Sequence, residues 1–214
     1  MMLTVWSICW GDKYPDYYVQ RLQKSVAENL HMRHRFVCIT DRAIEGVETI
    51  PFPDDYSGWW AKVSLFRWDT MEDYNLWLDL DVIITGDITD MVKRYSKSSL
   101  AMPSNWANSR HGGCQSSVML WSKNHNVRQI YDLYDPADPR LGNWPPTTAN
   151  GAVWGDQEWI TELRDLDRIC VTPITEGIKS YKYHCRGGLP AGTQIVVFHG
   201  DPKPPKVNES WFQW

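Results

Sequence analysis

The chain of 214 residues lacks an apolar run long enough to span a bilayer. Its opening, Met1 to Trp10, is too short, has no basic leader, and runs straight into Asp12 and Lys13. Neither a signal peptide nor a membrane span is expected. Basic residues are also in short supply: 22 Lys and Arg against 26 Asp and Glu leave a formal charge of -4, without the footprint of a nucleic-acid binder. Any bound nucleotide is expected to be small and met by a local site. The five cysteines, Cys9, Cys38, Cys114, Cys170 and Cys185, are odd in number, far apart and include no C-x-x-C pair. A reducing, cytoplasmic setting is the simplest expectation. No internal repeat or low-complexity tract interrupts the chain, and residues 1–214 suffice for one domain.

Tryptophan is plentiful, with 13 in the chain. Most are expected in the core, and a minority among Trp10, Trp59, Trp60, Trp106 and Trp144 is expected to line a cleft, where rings suit sugars and bases. The pattern predicts strands over 3–9, 35–40, 47–50 and 75–78, with a helix from Tyr17 to Leu30 and helical spacing from Trp59 to Trp68. Further strands are expected over 99–102, 116–121, 168–171 and 194–198, with helices over 126–134 and 156–163. Strands alternating with helices, and polar turns at strand ends, predict an α/β fold whose ligand crevice lies at those ends. The Pro-, Gly- and Asn-rich stretch from Asp135 to Gly155 predicts a long functional loop.

Within Trp77-Leu78-Asp79-Leu80-Asp81-Val82-Ile83-Ile84, two carboxylates one residue apart close an apolar run. Extended geometry would turn Asp79 and Asp81 to one side, and their repulsion calls for a cation, with a divalent metal the economical choice. Exposed strand-end residues are the plain alternative. Near the C-terminus, Phe198-His199-Gly200-Asp201-Pro202-Lys203 offers an imidazole ligand, a bare backbone and a counter-charge suited to a metal-bound diphosphate. A Pro-rich exit from a sheet would look similar. His31 and His34 suit a surface turn, the Gly187-Gly188 segment a loop near the cleft, and the acceptor pattern at Asn208 has no meaning without a secretory leader.

The ordered set of Thr40-Asp41, Asp79-x-Asp81, Gly155-Asp156-Gln157 and His199-Gly200-x-x-Lys203 resembles glycosyltransferase family 8 and its bacterial and viral relatives, from Val5 to about Lys203. The resemblance implies a single GT-A-type domain, with a Rossmann-like mixed central sheet flanked by helices. It further implies Mn²⁺ or Mg²⁺ held by Asp79, Asp81 and His199, with Lys203 neutralising the diphosphate. Ser7, Trp10, Thr40 and Asp41 fall where uracil and ribose are held, with Gly200 beside the diphosphate. Gln115, Ser116 and Ser117 fall where sugar hydroxyls are met, and Asp156 and Gln157 lie beside the transferred sugar. Lys62 stands where the family commonly has an arginine touching sugar and D-x-D, and it cannot hydrogen-bond in the same bidentate way. The terminal motif also departs: His199 and Gly200 are adjacent, and Pro205 replaces a Trp.

The implied activity moves a sugar from a nucleotide donor, UDP-linked by resemblance, to a hydroxyl of a carbohydrate or other acceptor, with retention. A sugar nucleotidyltransferase is one alternative. The turn Trp10-Gly11-Asp12-Lys13-Tyr14-Pro15 has one glycine and an acidic neighbour, unlike a triphosphate loop. A non-catalytic carbohydrate-binding protein is the other.

Overall fold

The computed structural model describes residues 2–56, 58–106, 113–141, 153–212 and 214. Strands β1 (Leu3–Cys9), β2 (His34–Thr40), β3 (Glu48–Ile50) and β4 (Tyr74–Leu78) lie in a seven-stranded sheet. It continues through β6 (Leu100–Met102), β7 (Val118–Ser122) and β8 (Val171–Pro173), in the order β3-β2-β1-β4-β7-β6-β8. β7 runs antiparallel to both β4 and β6, while β1 is parallel to β2 and β4, so the sheet is mixed. A second sheet joins β5 (Val82–Ile84), β10 (Ile195–Val197) and β9 (Ile178–Ser180) in the order β5-β10-β9.

Alternation along the central strands divides the core in two. Leu3, Val5 and Cys9 of β1, with Leu76 and Leu78 of β4, pack on one side against Val19, Leu22 and Val26 of α1 (Tyr17–Asn29). Trp6 and Trp77 point to the other side, joining Trp121, α3 (His125–Asp132) and α4 (Asp156–Asp165). Each fully buried aliphatic side chain here adds about 1.5–3 kcal/mol of transfer free energy. The Asn124 carboxamide accepts from the Val127 N–H at 2.9 Å and caps α3. α4 opens with Asp156 and Glu158 and closes with Arg164, matching the helix dipole at both ends.

Several boundaries differ from the sequence expectation. The run from Trp77 to Ile84 is two strands in two sheets, and Asp79, Leu80 and Asp81 form the turn between them, the Val82 N–H donating to the Asp79 carbonyl at 3.3 Å. Turn geometry relieves two acidic residues of the extended spacing that simple alternation assumed. The helical segment near Trp59 is a 3₁₀ helix, Gly58–Phe66, and Trp60, Val63 and Phe66 are all buried. Their spacing of three is the 3₁₀ period, which lines those side chains on one face. The strand expected over 168–171 forms later, at β8. Strand β9 and the wide helical turn Tyr181–Cys185 carry no clear periodicity and are new, as is helix α2 (Thr89–Tyr95), although Ile88, Met91, Val92 and Tyr95 have helical spacing and face the core. Trp144 and the rest of residues 142–152, most of the expected functional loop, lie outside the described residues, as do residues 107–112. No described helix is long and apolar enough to cross a membrane, and all five cysteines are free thiols.

Candidate active site

The carboxyl ends of β1 and β4, the start of α4 and the exit from β10 enclose a cavity of about 800 Å³. Its lining includes Trp10, Lys62, Asp79, Asp81, Gln115, Ser116, Ser117, Asp156, Gln157, His199, Gly200 and Lys203. The convergence has a backbone cause. β10 runs antiparallel to β5 with Val197 opposite Val82, and the Phe198 N–H donates to the Asp81 carbonyl at 3.3 Å. Residues more than a hundred positions apart are thereby neighbours.

Lys62 holds the middle of the cavity. Its Nζ lies 2.9 Å from Asp79 Oδ1 and 3.4 Å from Asp156 Oδ2, with the Ser116 hydroxyl at 3.5 Å. Burial alone would depress this ammonium, but Asp156 and then Asp79 outweigh burial and hold its pKa above the ordinary lysine range. The Trp77 indole donates to Asp79 Oδ1 at 3.1 Å. Asp81 Oδ2 pairs with the Lys203 ammonium and accepts from the Tyr14 hydroxyl at 3.0 Å. Burial, then the charge of Asp79, pushes the Asp81 pKa up despite Lys203. Burial likewise raises Asp156 and Glu158. The lining thus carries five carboxyl groups, Asp79, Asp81, Asp156, Glu158 and Asp201, against three lysines, Lys13, Lys62 and Lys203.

His199 is packed face on between Tyr183 and Trp106, at centroid distances of 5.8 and 6.1 Å, and its Nε2 hydrogen-bonds the Ser180 hydroxyl at 2.7 Å. Burial, then Lys182 and Lys203, lowers its pKa to about 4. The imidazole is therefore neutral near pH 7, the form a metal ligand needs. The acidic excess, the hard carboxylate oxygens and a neutral imidazole fit a divalent cation in donor chemistry. Among the described residues, however, no three His, Cys, Asp or Glu side chains are gathered at metal-holding separation. Lys203 occupies Asp81 and Ser180 engages His199, so the expected ligand set of Asp79, Asp81 and His199 shares a cavity without forming a cage.

The other expected contacts divide. Gln115 and Ser117 line the cavity but brace each other, with the Gln115 amide 2.8 Å from the Ser117 hydroxyl. Ser7, Thr40 and Asp41 lie outside the lining. The Ser7 hydroxyl donates to the Leu78 carbonyl at 3.1 Å, and Thr40 Oγ1 accepts from the Arg42 N–H. Asp41 accepts from the Gly11 N–H at 2.8 Å, closing a turn in which Gly11 has φ +55. Arg42 finishes that clasp by donating to Asp16, the Gly11 carbonyl and the Tyr14 carbonyl.

No family model matches the sequence, and no curated protein matches it. Solved structures do match. The galactosyltransferase LgtC, in complex with donor and acceptor sugar analogs, superposes with a TM-score of 0.59 at 14% identity, over 94% of this chain and 88% of that one. An active-site mutant of LgtC gives 0.58 at 12% identity, over 94% and 89%. The apo-form glycosyltransferase GlyE of Streptococcus pneumoniae TIGR4 gives 0.63 at 17% identity, over 95% of this chain and 56% of that one, so the chain spans little more than half of GlyE.

The chain has the GT-A fold.

On this GT-A sheet the cavity lies where open α/β sheets present ligands, beyond the carboxyl ends of the strands. Tyr14 and Lys13 in its lining, and Lys182 beside it, carry no motif that sequence reasoning could have used, whereas Trp59 is one of the tryptophans expected at a cleft. Tyr14 reaches Asp81 from the β1–α1 loop. Trp59 donates to the Trp154 carbonyl at 2.7 Å and covers Gly155, where a Cβ would sit 2.9 Å from the indole. Lys13 lies over the Trp59 ring at 5.9 Å, and Lys182 stands beside Gly200. Each depends on long-range packing.

Proposed function

We propose that this single domain is a metal-dependent glycosyltransferase, moving a sugar from a nucleotide donor, UDP-linked by preference, to a hydroxyl of a carbohydrate or other acceptor with retention. The observation that carries this reading is the meeting of Asp79, Asp81, Lys62, Asp156, His199 and Lys203 in one cavity of about 800 Å³. That volume is within the usual range for small-molecule sites. The GT-A fold, shared with structures described as glycosyltransferases, supports it.

Asp79, Asp81 and His199 would hold Mn²⁺ or Mg²⁺, which when bound supplies Lewis-acid stabilisation of the diphosphate leaving group. Lys203 exchanges its contact with Asp81 for the diphosphate and offsets charge as the anomeric bond breaks. Lys62 keeps Asp79 and Asp156 in register, so the first turn of α4 presents Asp156 and Gln157 to the transferred sugar. Trp10 and Trp59, 44% and 38% exposed, offer rings at the cavity for base or sugar faces.

Thermal unfolding with a panel of nucleotide sugars, each with and without Mn²⁺, tests this reading. A UDP-sugar with Mn²⁺ is expected to raise the melting temperature, as ligand linkage requires, by about 2.7 kcal/mol of stabilisation at a hundredfold excess over Kd. No stabilisation by any member of the panel, with or without metal, would refute it.

A further inference from the structure

The cavity lining has an excess of carboxyl groups over lysines. An anionic leaving group entering such a site gains from a cation beyond Lys13 and Lys203, the latter already paired with Asp81. The wide turn Tyr181–Cys185, following β9, provides one. The Lys182 ammonium approaches Gly200 so closely that a Cβ there would lie 2.8 Å from its Nζ, and Gly200 has φ +68. Glycine both adopts this conformation and leaves the space open.

Lys182 is half-buried and makes no ion pair among the described residues. The turn that carries it is pinned at two points: His184 Nδ1 accepts from the Ser180 N–H at 3.0 Å, and the Tyr183 ring stacks on His199. An ammonium with no ion pair among the described residues, carried on a pinned turn beside the bare backbone of Gly200 at the cavity edge, is placed to meet an anion.

Resting on the transferase reading above, we propose that Lys182 binds the distal phosphate of the nucleoside diphosphate across the open face of Gly200. It forms a two-lysine cradle with Lys203. The interaction is a charge-assisted hydrogen bond to a phosphoryl oxygen. Its signature is therefore selectivity for a diphosphate over a monophosphate, with no effect on the base.

Calorimetric titration of UDP and UMP, with Mn²⁺ present, into wild-type protein, Lys182→Ala and Lys182→Arg tests the proposal. In Lys182→Ala, UDP affinity is expected to fall by about 10–100-fold, as for loss of a charged hydrogen bond, and UMP affinity by less than about threefold. Lys182→Arg is expected to restore most of the difference, and an unchanged wild-type melting temperature in both variants shows that folding is intact. An equal UDP-to-UMP ratio in wild type and Lys182→Ala overturns the role of Lys182 while leaving the transferase reading standing. Failure of the wild type to bind UDP overturns both.

Discussion

Lys62 bears the largest electrostatic responsibility of any single side chain described. Its side chain is 13% exposed between the 24% exposed Asp79 and the 7% exposed Asp156, so its removal would leave one partly shielded and one buried carboxylate without their cation. Lys62→Ala is expected to cost about 3–5 kcal/mol in urea unfolding with little change in slope. A loss below about 1 kcal/mol would show that solvent or a neighbour already compensates those charges. Lys62→Arg keeps the charge and is expected to retain most of the stability. Sequence alone placed this lysine near the D-x-D through a resemblance. Its contact with Asp156, almost a hundred residues onward, follows from the packing of the 3₁₀ helix against α4.

Among the elements, α4 is the most sensitive because its first turn both caps a helix and lines the cavity. Gly155 begins it, pressed against Trp59 with room for no Cβ. Gly155→Ala is expected to displace the indole or the turn at a cost of about 1–3 kcal/mol. Activity should fall by more than the lower melting temperature explains, because Asp156 and Gln157 move with the turn. Full activity in this variant would separate the turn from the chemistry. The same elements show what could be read in advance. β1, α1, β2 and β4 have strong periodicity and were legible almost to the residue, as was the start of α4 from its Gly-Asp-Gln. The break at Asp79–Asp81 was not, since a turn joining two sheets looks like one apolar strand when only local sequence is visible. β9 and the Tyr181–Cys185 turn have no amphipathic repeat, so the surroundings of His199 and the position of Lys182 emerge only in three dimensions.

At the scale of the whole molecule, the small sheet performs the decisive assembly. Pairing β10 with β5 brings the terminal His-Gly-x-x-Lys to the acidic turn, while the seven-stranded sheet fixes Lys62, Ser116 and α4 around the same space. The fold agrees with the family resemblance even though sequence identity to the matched structures is only 12–17%. The proposed sugar transfer by this assembly depends on a cation at Asp81. Its most direct measurement incubates the protein with nucleotide sugars and Mn²⁺ and quantifies released nucleoside diphosphate for wild type, Asp81→Ala and chelator-treated wild type. Release by the wild type alone, with a fall of about a thousandfold or more in the other two, is the expected result for a lost metal-centred stabilisation. Release that persists at the wild-type rate in Asp81→Ala or after thorough chelation, or release of pyrophosphate in place of nucleoside diphosphate, would contradict it.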